Sequence, residues 1–171
     1  VPFYSGVARI APGRSMSARC FAGYSMDSEQ IGFRDAFKGS FSGVLRWEQL
    51  DELWQRLRDD AAGDWYLYAV GEEPPTDTVS EYDVIQFIEQ LDELLRREHE
   101  EQYCGIVYVD DVNSPSFVKI FDPNNLGVSC GYSDSPPLPG WILSKLPPVD
   151  LQAPVPQPGN RRRWWLRLIA S

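Results

Sequence analysis

Glu48-Gln49-Leu50-Asp51-Glu52-Leu53 recurs, residue for residue, as Glu89-Gln90-Leu91-Asp92-Glu93-Leu94, 41 positions further on. Around the first copy, Trp47, Leu50, Trp54 and Leu57 are spaced 3, 4 and 3 apart, with Leu53 broadening the row. That is the spacing of one helical stripe, and it predicts an amphipathic helix over 47–59. Glu48, Asp51 and Glu52 fall in its first turns and Arg56 and Arg58 toward its end, as the helix dipole favours. Ala61-Ala62-Gly63 supplies a stop. Around the second copy, Val84, Ile88, Leu91 and Leu95 form the stripe of a longer helix over 80–101. Thr78 or Ser80 is positioned to cap it, and Arg96, Arg97 and His99 close it.

Each helix is followed by a short apolar run. Trp65-Tyr66-Leu67-Tyr68-Ala69-Val70 has strand-favouring residues on both faces, which predicts a strand interior to a sheet. Cys104 to Val109 reads as a second strand. Asp110 to Pro115 turns the chain, and Ser116 to Phe121 returns it as an antiparallel hairpin. Segments 47–70 and 79–109 therefore look like two helix–strand units. Either a duplication or a coincidence of common helix-surface residues explains the match. Trp141 to Leu146, flanked by prolines, has room for one helical turn or a short edge strand.

The rest is punctuated by turn residues. Phe3–Ile10 and Met16–Phe21 are candidate strands, 28–37 is a candidate short helix with Ser28 as cap, and 128–131 is a candidate short strand. Pro136-Pro137-Leu138-Pro139 either docks in an aromatic groove as polyproline or caps the core beside Trp141, and the second is the favoured reading. Residues 147–159 hold five prolines and read as a stiff spacer. Residues 160–171 form a basic, aromatic tail. The expected architecture is one α+β domain over 1–146. It has an antiparallel or mixed sheet of about four to six strands, with the two acidic helices on one face. The strands after the helices and the 116–121 return strand are expected at its centre.

Aromatic residues make up 13% of the 171-residue chain and apolar residues 43%, enough for a packed core. The formal charge of -9 argues against nonspecific nucleic-acid binding. The charge is unevenly placed. Residues 47–101 carry 17 acidic and 4 basic side chains, whereas 160–171 carry four arginines and no acid. That division reads as solvated helix faces, as a surface for a basic partner, or as a surface for the chain's own tail. The three cysteines, Cys20, Cys104 and Cys130, form no Cys-x-x-Cys pair and fit a reduced, cytoplasmic protein. No stretch reaches the length of a membrane span, and no secretory signal is visible.

Two constellations could carry chemistry. Cys104 and His99 flank one helix-to-strand turn and could form a nucleophile–base pair, or be a core cysteine and a helix-end histidine. Asp110, Asp111 and Asp122 bracket the hairpin and could gather a hard cation, or serve as turn residues. No phosphate loop, nucleophile elbow, zincin motif or zinc-finger spacing is present, and no cofactor is expected. In the tail, Arg161, Arg162, Arg163, Trp164 and Trp165 could bind a partner or a membrane interface, or pack on this chain or a neighbouring copy. The leading expectation is a noncatalytic protein-binding or regulatory domain using its acidic helical face, its tail, or both. A small enzyme with a Cys- or Asp-based site, and a peripheral membrane protein held by the tail, are the alternatives.

Overall fold

The computed structural model describes residues 31–124, 137–153 and 157–170. The candidate strands at 3–10, 16–21 and 128–131, and the Ser28 cap, lie outside these residues. Helical backbone runs through 31–37. The named elements follow as β1 (Ser42–Val44), α1 (Trp47–Asp59), β2 (Tyr66–Ala69) and α2 (Glu81–Glu98). Then come β3 (Val107–Val109), β4 (Phe117–Ile120), β5 (Trp141–Ser144) and α3 (Gly159–Ile169). The five strands form one sheet in the order β1-β3-β4-β5-β2, and every pairing is antiparallel. This is the expected α+β fold.

The helices form where the sequence placed their stripes. Leu50, Leu53, Trp54 and Leu57 of α1 are buried, as are Val84, Phe87, Ile88, Leu91, Leu94 and Leu95 of α2. Ser80 caps α2. Its hydroxyl accepts from the Asp83 backbone N–H at 3.2 Å, and the Asp83 carboxylate accepts from the Ser80 N–H at 3.1 Å. Both helices pack with Val107, Val109, Val118, Ile120, Trp141 and Leu143 in one apolar layer. Side chains alternate along each strand, so the next residues face the other side of the sheet. There Tyr68, Phe117 and Ile142 form a second cluster with Phe33 and Val70.

Two expectations about the sheet and one about the proline-rich segment need correction. The 65–70 run is not interior, because β2 closes one end of the strand order. Its double-sided apolarity has another cause: helices cover one face, while Leu151 and Ala153 pack against the cluster on the other. The 141–146 run is not an edge strand. β5 pairs with both β4 and β2, and all four of its residues are buried. The 147–159 segment does not stand clear as a spacer throughout, since Val149, Leu151 and Ala153 lie against the second cluster. Gly71 lies against both Ala153 and Gln157: a Cβ there would stand 3.7 Å from the Ala153 Cβ and from the Gln157 nitrogen. Gly71 has φ +99°, a left-handed conformation that glycine alone adopts without strain. Arg162 pairs with Glu72 at 3.2 Å just beyond. Pro136 lies outside the described residues; of the rest of that stretch, Leu138 packs on the second cluster, and Trp141 beyond it is buried.

Candidate functional site

The two hexapeptides meet. Trp54 of α1 donates its indole N–H to Asp92 Oδ1 at 2.9 Å. Arg96 donates its Nε–H to both oxygens of the Asp92 carboxylate at 2.9–3.0 Å and its Nη2 to Asp51, the same position in the other copy. Its guanidinium carbon lies 5.0 Å from the Trp47 ring centroid. Burial opposes the charge on Arg96, but Asp92 and Asp51 outweigh it and raise the pKa. The seam thus absorbs Asp51 and Asp92. Glu48, Glu52, Glu89 and Glu93 remain exposed on the outer sides of the pair. Arg56 and Arg97 reach Glu52 and Glu93 only at 3.9 and 3.5 Å. These contacts span four residues on exposed helix surface and contribute little to stability.

The tail is a helix, and its spacing turns three residues inward. Arg161, Trp165 and Leu168 are buried at positions i, i+4 and i+7. Trp165 meets Phe87 of α2 edge-on at 6.1 Å between centroids, and Trp164 meets Trp141 at 5.5 Å. Arg161 is 3% exposed and makes two forked contacts. Its Nε and Nη2 donate to the two oxygens of Asp122 at 2.8 and 3.0 Å. Its Nη1 donates to Glu98 Oε1 at 3.0 Å, and its Nη2 donates to the other Glu98 oxygen. Asn124 completes the group, donating its backbone N–H to Asp122 at 2.9 Å and its amide to Glu98 at 3.2 Å. The paired forks satisfy the geometry a guanidinium needs when taken out of water. Burial works against the cation, yet Glu98 and Asp122 hold its pKa above the usual arginine value. The hydrogen bond from Arg161 in turn pulls the Glu98 pKa down against its own partial burial. Among the five tail residues read as partner-binding, Arg161 and Trp165 therefore face inward and Trp164 is half-buried. Arg162 and Arg163 are exposed, beside Leu166 and Ile169 at 48% and 53% exposure.

His99 and Cys104 come close without forming a nucleophile–base pair. The His99 Nε2 lies 3.1 Å from the Tyr103 carbonyl and 2.8 Å from the Cys104 carbonyl. Two acceptors at one ring nitrogen require that nitrogen to carry the proton. The imidazole is committed to closing the turn after α2. The Cys104 side chain is fully buried, and desolvation raises its pKa, the reverse of what a thiolate nucleophile needs.

The three aspartates are separated by their hydrogen bonds. Asp110 accepts from the Ser116 N–H, the Ser116 hydroxyl and the Phe117 N–H across the β3–β4 turn. Burial pushes its pKa up, and these bonds more than reverse that. Asp111 accepts from the Asn113 and Ser114 N–H groups in a local turn. Asp122 is bound to Arg161. Among the described residues, no group of three or more His, Cys, Asp or Glu side chains is placed to hold a metal ion.

Two further features were not singled out in the sequence. Lys119 of β4 lies on the second face, with its Nζ 3.7 and 4.2 Å from the Phe41 and Phe37 ring centroids. It donates to the Phe37 carbonyl at the end of the 31–37 helix, and burial lowers its pKa. The cue was one polar residue in Phe117-Val118-Lys119-Ile120. A cleft of about 510 Å³ opens between Arg34, the Pro74-Pro75 turn and the Pro147-Pro148 arm. The Arg34 guanidinium there is tied to the Asp150 carbonyl at 3.1 Å.

No helix among the described residues is long and apolar enough to cross a membrane. Comparison of the chain with protein-family models, with curated proteins and with solved structures returns no match.

Proposed function

We propose that this chain is a noncatalytic protein-binding domain that presents the outer faces of α1 and α2 to a basic partner. One observation carries the reading. The apolar stripes of both helices are consumed by the core, Arg96 is consumed by the seam, and Arg56 and Arg97 make only long surface contacts, while Glu48, Glu52, Glu89 and Glu93 stay exposed on the rigid pair. A like-signed surface on a rigid scaffold steers an oppositely charged partner and fixes its orientation. The test is a crosslinking pull-down with the full chain, comparing wild type with the Glu48→Lys, Glu52→Lys, Glu89→Lys, Glu93→Lys variant. Specific capture should fall at least about tenfold, and wild-type capture should weaken as salt rises through the Debye-screening range. An unchanged set of captured proteins contradicts the proposal.

The outer side of α3 supports a second reading. Exposed Leu166 and Ile169 beside Arg162 and Arg163 resemble the face of a helix that lies on an anionic lipid surface. Flotation with anionic vesicles at low salt tests it, and protein absent from the lipid fraction removes it.

A further inference from the structure

We propose that α3 is an exchangeable helix: the groove it fills on its own chain also accepts α3 from a second copy. This is separate from the acidic-face reading and survives its failure.

The groove is built for one kind of occupant. At one end, Glu98, Asp122 and Asn124 form a receptor for a guanidinium, with both carboxylates engaged by forks. One turn on, Phe87 presents its ring to an indole. A helix must carry Arg and Trp at i and i+4 to satisfy both, and a lysine cannot fork. Gly159–Ile169 carries that spacing, so the best-matched ligand in trans is another copy of this helix.

Three observations favour detachment and recapture. The arm between β5 and α3 holds prolines at 147, 148, 154, 156 and 158. Such a sequence cannot carry α3 back toward β5 as continuous helix, so the helix is joined to the sheet by a nonhelical arm. The cis fit is also incomplete. Among the described residues, the Trp141 indole N–H and the Gln157 side-chain oxygen, a donor and an acceptor at the base of α3, are both buried without a partner. Gln157 spends its amide N–H on the Gly140 carbonyl at 2.8 Å. Unpaired buried groups reduce the stability of the docked state and so ease its opening. Finally, charge favours capture in trans. All 25 acidic residues of the chain precede residue 160, whereas the segment after it is purely basic. Each body therefore attracts the α3 of another copy. Exchange of identical elements between copies is a low-cost route to a dimer.

A complementation experiment tests this. One full-length population carries Arg161→Lys, with an intact receptor and a defective helix. The other carries Asp122→Asn, with an intact helix and a defective receptor. Each alone makes only defective docking contacts, while the mixture can form one native contact per pair. Light scattering after size exclusion should show a heterodimer of doubled mass in the mixture, at least about tenfold more abundant than a dimer of either variant alone. Near-UV circular dichroism checks that each variant is folded. If either is not, wild type held near ~1 mM, the range of a short tether's effective concentration, should yield a dimer that separates only slowly on dilution. A mixture of folded variants that stays monomeric, or a dimer formed equally by Arg161→Lys alone, overturns the proposal. So does wild type that stays monomeric in the second experiment.

Discussion

The α1–α2 pair and α3 sit on the same face of one sheet but are held there differently. Four residues of α1 and six of α2 are buried, all of them apolar, and the ions between the two helices lie at the surface. Three residues of α3 are buried, and one of them is an arginine locked to two carboxylates. Apolar burial is nondirectional and forgiving. A buried ion pair is directional, and its stability depends on every partner being present. The first kind of contact suits a permanent framework, and the second suits an element that docks in one register and can let go.

The sharpest way to separate the two modes is to remove their ions. Arg161→Ala leaves Asp122 buried and unpaired, and should cost about 4 kcal/mol in a denaturant titration. A loss below about 1 kcal/mol would mean that α3 is held by Trp165 and Leu168 alone. Leu91→Ala in the framework should cost about 3 kcal/mol by leaving a cavity, and should leave α3 docked. A variant that frees α3 instead would merge the two regions into one cooperative unit.

Acid should act selectively. The Glu98 pKa is depressed by Arg161, so its stabilisation is complete above the ordinary carboxylate pKa. That stabilisation is lost as pH falls through the lower folded value. Asp110, also depressed, loses its share over the same acid range. Stability measured from pH 6 downward should therefore decline below the ordinary carboxylate pKa, with a shallower decline in Arg161→Ala, which lacks the Glu98 contribution. Equal declines would detach Glu98 from the account. The smallest effect is expected at the surface seam, where Arg96→Ala should cost no more than about 1 kcal/mol. A larger loss would show that the helix pair also depends on its ions.

The same contrast governs what the sequence could reveal. The framework was legible because its information is periodic. Trp47, Leu50, Trp54 and Leu57 locate α1, and Val84, Ile88, Leu91 and Leu95 locate α2. The hairpin of β3 and β4 was legible because its turn is local. The place of β2 at the sheet end was not, since alternation reports what covers each face and not which edges are paired. β5 was misplaced because four residues between prolines say nothing of the distant strands that pair with them. In the tail, the run of three arginines left open whether it binds a partner or packs on the chain itself. The i, i+4, i+7 spacing of Arg161, Trp165 and Leu168 did signal an inward face, but the receptor lies on Glu98 and Asp122, far away in sequence. His99 and Cys104 were correctly seen as neighbours. Only the hydrogen bonds show the imidazole serving two carbonyl groups.

Hydrogen exchange measured by mass spectrometry on wild type and Arg161→Ala tests most directly whether a single guanidinium fastens the last helix. Amides of 159–169 in the variant should exchange about a thousandfold faster, and those of 50–57 and 84–94 should accelerate at least about tenfold less than that. Equal acceleration throughout, or none in 159–169, would contradict the division between a permanent helix pair and a releasable third helix.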